Sequence, residues 1–250
     1  MGCWGGTALD VAVAERDRTA PMVVSCTHCD LGVAAFCAGL TTQQFRRFMT
    51  VLGQASFAPG TTIFREGDPS QHLYTITAGA VKLYKLLSDG RRQITAFMFP
   101  GDFFGMSIND SYAYTAESLT TVVVCRFPRR KLESLFSEMP MLEKKLLGAT
   151  TQELAAAQEQ MLLLGRKTAR EKLATFLVML RRRLSENGNN SALFALPMSR
   201  SDIADFLGLT IETVSRTLTG LRRDGLIALP DVNHVAILRF DELAGMAEGA

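Results

Sequence analysis

One stretch of the chain, residues 198–227, constrains the fold most, because it predicts two short helices separated by a single glycine. Ser199 or Ser201 can cap the first helix by accepting a backbone N–H. Gly208 can end that helix in a left-handed conformation, and Thr210 can cap the next one. Two capped helices joined by so tight a turn are typical of a helix-turn-helix, which places its second helix in the major groove of DNA.

The second of these helices has two distinct faces. Its apolar residues recur at steps of four and three and should face the core of the domain: Val214, Leu218 and Leu221. Glu212, Ser215 and Arg216 share another face. Arginine can bond two acceptors of guanine and glutamate can accept from the cytosine amine, so these three are candidate DNA-reading residues. The alternative is an exposed Glu212–Arg216 ion pair, which would stabilise the helix by about 0.2–0.5 kcal/mol.

The surrounding segments complete a winged helix-turn-helix over residues 166–250. Before the motif, a helix over 166–184 ends in three arginines at 181–183, which can complement the helix dipole or lie near a phosphate backbone. After the motif, the apolar runs 226–229 and 235–238 predict a small hairpin, which is the wing.

Residues 57–127 differ from the C-terminal region in their sequence pattern, which consists of short runs of strand-forming residues separated by turn residues. Gly, Pro and Asp recur at intervals of about ten residues, as in Ser88-Asp89-Gly90 and Pro100-Gly101-Asp102. The runs between them are rich in β-branched and aromatic side chains: Leu73–Ile76, Val81–Tyr84, Ile94–Phe97 and Thr121–Val124. This spacing predicts short antiparallel strands in a sandwich or barrel. Together with a cysteine-bearing segment, we assign these strands to a sensor domain over residues 23–139.

Between these two regions, residues 140–165 predict one long helix. Its apolar stripe advances by steps of four and three: Leu142, Leu146, Thr150, Leu154, Ala157, Met161 and Leu164. At about 1.5 Å per residue the helix spans about 37 Å, which would overhang a compact β domain. We therefore predict that the stripe is a dimerisation seam. The alternative is a core helix packed on its own β domain.

Three of the five cysteines fall within residues 26–37, and Cys3 and Cys125 stand apart from them. A reducing compartment disfavours disulfides, and a chain of 250 residues can build a core without them. Metal or redox chemistry is therefore the better interpretation of the clustered thiols. Cys3 is left unassigned.

Charge and hydropathy narrow the class of protein. The 27 Lys and Arg residues against 25 Asp and Glu give a net charge of +2, which neither demands nor excludes a nucleic-acid partner. No apolar run approaches the roughly 18 residues of a membrane-spanning helix, so we expect no membrane partner. Residues 1–22 show no sustained period and no secretory signal, and we expect a disordered leader on a cytoplasmic protein.

A β-roll, a long helix and a C-terminal winged helix-turn-helix, in that order, resemble the cyclic AMP receptor and fumarate-nitrate-reduction (CRP/FNR) superfamily of bacterial transcription regulators. The resemblance covers about residues 25–245 and is strongest at Leu207–Arg216, Pro100–Asp102 and Met161–Leu164. It implies an α+β fold with an N-terminal cyclic-nucleotide-binding-like antiparallel β-roll. It also implies a homodimer that binds double-stranded DNA and works with RNA polymerase. The three candidate DNA-reading residues would then contact half-sites of the TTGAT type in a palindrome.

The sensor region distinguishes the branches of this superfamily. Members that bind cyclic AMP carry a Gly-Glu-Leu stretch and an Arg-Ser or Arg-Thr that holds the phosphate. Here the corresponding region reads Gly105-Met106-Ser107 and then Tyr112–Thr115, with neither the glutamate nor the arginine. Because a buried phosphate without a cation is strongly disfavoured, we expect no cyclic AMP.

Cys26, Cys29 and Cys37, with Cys125 from the last strand of the β-roll, resemble the oxygen-sensing FNR branch. In that branch three N-terminal cysteines and one from the β-roll hold an oxygen-labile [4Fe-4S] cluster, for which four thiolates are the usual complement. The seven residues between Cys29 and Cys37 depart from the commoner spacing of five. The resemblance implies control of anaerobic and microaerobic transcription.

Other chemistry of these cysteines stays open. Cys125 by itself could be a small core residue. Four cysteines, or three with His28, could hold zinc. Cys26 and Cys29 have the spacing of a thiol-disulfide exchange motif, but no βαβ pattern surrounds them. The alternative function is a regulator of the same fold that responds to another small ligand or a haem and has structural cysteines. No serine-histidine-acid set, phosphate-binding loop or pair of carboxylates indicates an enzyme.

Overall fold

A computed structural model describes residue 31 and the ranges 35–107, 110–186 and 191–249. The expected leader over residues 1–22 and two of the predicted cluster ligands, Cys26 and Cys29, lie outside the described residues.

The N-terminal part is an antiparallel β-roll preceded by one helix, α1 (Thr42–Met49). Its strands are β1 (Gly53–Phe57), β2 (Thr62–Phe64), β3 (His72–Ala78), β4 (Val81–Leu86), β5 (Arg92–Met98), β6 (Phe103–Phe104), β7 (Thr115–Ser118) and β8 (Val122–Pro128). They form two four-stranded sheets with the orders β1-β8-β3-β6 and β2-β7-β4-β5. The strand prediction from the turn spacing is therefore confirmed.

The turn between β3 and β4 shows why the sequence needs glycine at its turns. Gly79 has φ +88°, and a Cβ atom there would lie 2.3 Å from the carbonyl oxygen of Thr121. Any side chain would collide with this backbone atom, so the close approach of the two chain segments depends on glycine.

The sheet β1-β8-β3-β6 carries apolar residues on both of its faces, because neighbouring residues of a strand point in opposite directions. The residues of its inner face belong to the roll core. This core also includes residues of the other sheet and of loops, and its members are Phe64, Tyr74, Ile76, Val81, Leu83, Phe104, Tyr112, Tyr114, Ala116, Val122 and Val124. The outer face belongs to a second cluster, which we call the phenylalanine-rich core: Phe36, Phe48, Leu73, Phe103, Phe127, Leu132, Leu135, Met139 and Leu142. This second core joins the sheet to the segment before α1 and to the helices that follow β8.

Three helices follow the roll: α2 (Arg129–Phe136), α3 (Pro140–Arg166) and α4 (Ala169–Glu186). Pro140 occupies the first turn of α3, where its missing N–H costs nothing. Apart from half-buried Gln160, residues 150–162 of α3 are exposed, so this part of the helix contributes no buried side chain to a core of the protomer.

The predicted apolar stripe of α3 is not one continuous face. Leu142 is buried and Leu146 packs against the phenylalanine-rich core, while Leu154 and Met161 are exposed. Each step of four residues rotates about 40° past a full turn, so a stripe made mainly of such steps winds around the helix. The core-helix interpretation therefore holds for the first turns, which pack on the β domain, and Leu163 of the last turn is buried in the C-terminal core. The dimerisation seam remains a prediction for the exposed turns between them.

The C-terminal part, the head, contains the helix-turn-helix. Its elements are β9 (Leu193–Ala195), α5 (Arg200–Leu207), α6 (Ile211–Arg223), β10 (Ile227–Ala228), β11 (His234–Ile237) and α7 (Phe240–Glu248). Strands β10, β11 and β9 form a three-stranded sheet in that order, so the predicted hairpin has a third strand. The sequence analysis missed α7, which buries Leu243 and Ala247 in the core of the head. Among the described helices, none is both long enough and apolar enough to span a membrane.

Candidate functional site

The two helices of the head begin and end where the sequence predicts. Ser199 Oγ accepts the backbone N–H of Asp202 at 3.0 Å, and the Asp202 carboxylate accepts the N–H of Ser199 at 3.0 Å. Gly208 ends α5 with φ +61°, and Thr210 Oγ1 accepts the N–H of Thr213 at 3.2 Å. These local hydrogen bonds set the angle at which α6 leaves the turn.

Helix α6 presents one polar face to solvent. Glu212, Ser215 and Arg216 are all exposed, and the inward prediction for the apolar face is confirmed because its three residues are buried: Val214, Leu218 and Leu221. The backbone N–H of Glu212 and the hydroxyl of Thr210 lower the pKa of the Glu212 carboxyl. At neutral pH this side chain is therefore an anion, which is the form that accepts hydrogen bonds from a base amine.

A network of charged residues joins the head to the roll; we call it the interdomain ion network, and its members are Lys82, Arg92, Glu117, Asp202 and Asp205. Lys82 Nζ lies 3.0 Å from Asp202 Oδ1 and 3.0 Å from Glu117 Oε1. Arg92 bonds Asp202 at 2.9 Å and Asp205 at 2.8 Å. Burial by itself would raise the pKa of Asp202, but the hydrogen bonds from Ser199 and Lys82 outweigh it and lower this pKa.

The two described candidate ligands lie against the same hydrophobic cluster. Cys37 follows Phe36 just before α1, and Cys125 lies on β8. Both thiols are half-buried and both pack against the phenylalanine-rich core. The fold thus brings a residue near the N-terminus and a residue of the last roll strand to one patch of the molecule.

A lysine from the long helix binds the turn that carries Cys37. Lys145 Nζ donates to the carbonyl oxygens of Ala35 at 2.9 Å and Ala38 at 2.8 Å. Burial lowers the pKa of Lys145, and the charge of the neighbouring Cys37 acts in the opposite direction. The two hydrogen bonds place the ammonium group at the backbone of the turn that carries Cys37.

Opposite Cys125 lies a buried hydroxyl that has no hydrogen-bond partner in the described structure. Thr75 pairs with Cys125 across β3 and β8, its side chain is almost fully buried, and its Oγ1 is unsatisfied. Thr75 and Lys145 both line a cavity of about 330 Å³ between the roll and α3. Buried donors without acceptors are costly, so this hydroxyl fits a site that receives an acceptor such as a thiolate or a sulfide.

The residues present fit a sulfur-ligated group as far as the described part of the chain extends. This part contains two thiols that pack against one core, a cation bound to the turn of Cys37 and an unsatisfied hydroxyl paired across the strands with Cys125. Those ranges hold no group of three or more His, Cys, Asp or Glu residues that could bind a metal, and Cys26 and Cys29 lie outside them.

Sequence reasoning missed Lys145 and Thr75. Lys145 directly precedes Leu146 of the predicted stripe and carries no motif of its own. Thr75 lies within the apolar run Leu73–Ile76, where threonine is an ordinary strand residue. Only the contacts across the fold distinguish either residue.

Comparison with known proteins agrees with this architecture. Residues 54–139 match the family of the cyclic nucleotide-binding domain, and residues 171–246 match the Crp-like helix-turn-helix domain. The chain belongs to the Crp/Fnr family. Its similarity to regulators named FixK and FnrL places it in the FNR-type branch of that family.

Individual relatives of this Crp/Fnr regulator match over most of their length. The nitrogen fixation regulation protein FixK of Bradyrhizobium diazoefficiens is 42% identical over 204 residues, which cover 82% of this chain and 86% of the relative. The transcriptional activator protein FnrL of Cereibacter sphaeroides is 36% identical over 222 residues, covering 87% and 90%. The structure of FixK2 from Bradyrhizobium japonicum has a TM-score of 0.74 and 40% identity, covering 78% of this chain and 97% of that one.

These findings identify the chain as a DNA-binding transcriptional activator of the FNR/FixK type. Its relatives are transcriptional regulators, not enzymes. The α+β fold predicted from the sequence is confirmed by the strand orders and by the likeness to FixK2.

Proposed function

We propose that this Crp/Fnr regulator senses oxygen through a [4Fe-4S] cluster held by Cys26, Cys29, Cys37 and Cys125. The observation that carries the proposal is that Cys37 and Cys125 pack against one phenylalanine-rich core although they are distant in sequence. Such a cluster supplies a group that is stable without oxygen and is destroyed by it. The protein contributes the thiols, an apolar surround that limits solvent access, and a connection to the long helix.

The dimerisation seam that we propose differs from the predicted stripe. Leu147, Leu154 and Met161 are exposed by 67%, 59% and 65% and follow one another at intervals of seven residues. Because seven residues make nearly two full turns, these side chains remain on one face of α3. Large exposed apolar residues at this spacing support a coiled-coil contact with a second copy of α3.

We propose that Glu212, Ser215 and Arg216 read base edges in TTGAT-type half-sites. Their exposure on α6, the capped turn before them and the carboxylate form of Glu212 support this role. A dimer would bring two such helices to the two halves of a palindrome, so losing the dimer would remove half of the base contacts. The exposed hairpin tip at residues 87–91 is the surface that we propose for RNA polymerase.

We expect no cyclic nucleotide in the roll. Aromatic rings occupy its interior, with Phe64 stacked on Tyr112 at 3.7 Å between ring centroids and Tyr74 stacked on Phe104 at 5.1 Å. The Tyr114 hydroxyl accepts the N–H of Gly105 at 3.0 Å. These contacts fill the interior of the roll with the chain's own side chains.

A second candidate is a regulator of the same fold that binds another small ligand or a haem and has structural cysteines. A cavity of about 600 Å³ between the roll and α3 supports it. Met106, Tyr114, Leu146 and Thr150 are among its lining residues. This volume lies within the usual range of ligand pockets.

Iron and sulfide analysis of protein purified without air tests the proposal. The wild-type protein should contain about four iron atoms per protomer and lose its iron–sulfur absorbance in air. Cys125→Ser should lose the iron, whereas Cys3→Ser, which changes the unassigned cysteine, should retain it. Wild-type protein that contains no iron but binds its operator as a dimer would exclude the cluster, and a sharp haem band would favour the second candidate.

A further inference from the structure

One side chain of the long helix, Lys145, hydrogen-bonds the turn that carries Cys37. Lys145 Nζ donates to the carbonyl oxygens of Ala35 and Ala38, which lie on either side of Cys37. The Ala35 oxygen also accepts the N–H of Ala38 at 2.9 Å, so the ammonium group and the backbone close the same turn. Hydrogen bonds from a charged donor are stronger than neutral ones.

Lys145 lies in the part of α3 where packing on the β-roll and the start of the proposed dimerisation seam overlap. Leu142, Leu146 and Ala149 of this helix pack against the phenylalanine-rich core together with Cys37 and Cys125. Leu147, two residues after Lys145, is the first exposed residue of the proposed seam. A displacement of the Cys37 turn would therefore act on α3 directly, without passing through the roll.

We propose that Lys145 positions Cys37 for cluster binding and connects this ligand to the dimerisation helix. The inference rests on the proposed function, because it assigns a role to Lys145 in that same site. The ammonium would also place a positive charge near one ligand of a group that four thiolates would make negative, and nearby charge is one of the factors that set the behaviour of iron–sulfur clusters.

The test compares three variants. Lys145→Met removes the donors and the charge but keeps most of the side-chain volume. Lys145→Arg keeps a charged donor and is the rescue variant. Lys144→Met changes the neighbouring exposed lysine and is the matched control.

The first measurement uses iron-free protein, so that it does not depend on the cluster. Amide hydrogen exchange is followed at Ala38 and Leu40, whose N–H groups bond Ala35 and Cys37 within the turn. We expect exchange about three- to tenfold faster in Lys145→Met than in wild type, and wild-type rates in Lys144→Met. Lys145→Arg should exchange within about twofold of wild type. Unchanged exchange in Lys145→Met, or equally fast exchange in Lys145→Arg, would overturn the positioning role.

The second measurement uses anaerobically loaded protein and follows the loss of iron–sulfur absorbance in air. Outer-shell partners strongly affect metal retention, so the half-time should fall at least about threefold in Lys145→Met but not in Lys144→Met. Faster exchange with an unchanged half-time would overturn the connection to the cluster. If the wild-type protein holds no iron, the proposed function fails, and with it the connection to the cluster. The exchange rates then decide only whether Lys145 holds the turn.

Discussion

A single hydroxyl illustrates how the structure distinguishes residues that look equivalent in the sequence. Thr75 and Thr77 lie on the same strand, β3. The Thr77 hydroxyl donates to the carbonyl oxygen of Val123 at 3.0 Å, whereas the buried Thr75 hydroxyl has no partner among the described residues. An unsatisfied buried hydroxyl costs roughly 1–3 kcal/mol relative to a satisfied one.

Replacement of each threonine by valine should therefore have opposite effects on iron-free protein. We expect Thr75→Val to raise the free energy of unfolding by about 0.5–1 kcal/mol, because the unsatisfied group is removed without a change of shape. Thr77→Val should lower it by about 1 kcal/mol. Urea unfolding measures both values. Destabilisation by Thr75→Val would show that its hydroxyl has an acceptor in the iron-free protein.

The face of α6 that we propose to read DNA gives a second prediction at this scale. Arg216→Ala should weaken binding to the palindrome by about 1–3 kcal/mol and relax the preference at one base position. Arg222→Ala, which changes an exposed arginine in the last turn of α6, is the control and should leave the base preference intact. Titration of both variants on specific and random DNA separates the outcomes. An equal loss on both DNAs would mean that Arg216 contacts phosphate.

At the scale of elements, successive turns of the single helix α3 have different surroundings. Its first turns contribute Leu142 to the phenylalanine-rich core and Lys145 to the Cys37 turn. Its middle turns are exposed, and its last turn buries Leu163 in the core of the head. A helix of this composition has little reason to remain exposed along such a length unless a partner covers it.

Leu154→Lys should weaken dimerisation at least about tenfold, because it replaces a central seam residue by a charge. Ala155→Lys adds the same charge to an exposed position about 100° around the helix and should have a much smaller effect. Sedimentation over a range of protein concentrations compares the two variants. Equal dimerisation of Leu154→Lys and wild type would place the seam elsewhere.

At the scale of the whole molecule, the head and the roll share one interface. Residues of β4 and β5 belong to the same hydrophobic core as α4, α5 and α6. The interdomain ion network crosses this interface, and the side chains of Lys82 and Asp202 are each only 7% exposed. Buried charges of this kind are costly to leave without a partner.

Lys82→Met should therefore destabilise the protein by about 2–3 kcal/mol, since Asp202 retains only Arg92 as a cation partner. Lys85→Met, on the same strand, breaks the exposed pair with Glu66 and should change stability by less than about 0.5 kcal/mol. Thermal unfolding compares the two. Equal stability of both variants would show that the Lys82 contact contributes nothing.

The pH dependence of this effect has a definite sign. The pKa of Asp202 is lowered in the folded protein, so its contribution to stability is present above the ordinary aspartate pKa near 4 and is lost as pH falls through the folded value. The difference between wild type and Lys82→Met should accordingly shrink below about pH 4.

Much of the fold could be predicted because its signals are local. Ser199, Gly208 and Thr210 act on hydrogen bonds within a few residues of themselves, and the structure has them in those roles. The stripe of α3 was predicted less well, since periodicity gives the angle of a side chain around its helix but not what lies beside it. The helix α7 was missed, and its short apolar face becomes informative only through its burial against the head core.

The sequence by itself determined the β-roll, the long helix and the capped helix-turn-helix, and it singled out the cysteines, because caps, turns and residue types are properties of short segments. Tertiary structure alone decided that Cys37 and Cys125 share one core, that Lys145 holds the Cys37 turn, and that Lys82 meets Asp202. These contacts join residues that are far apart in the chain. Their energy comes from burial and charge pairing in three dimensions, which no local pattern encodes.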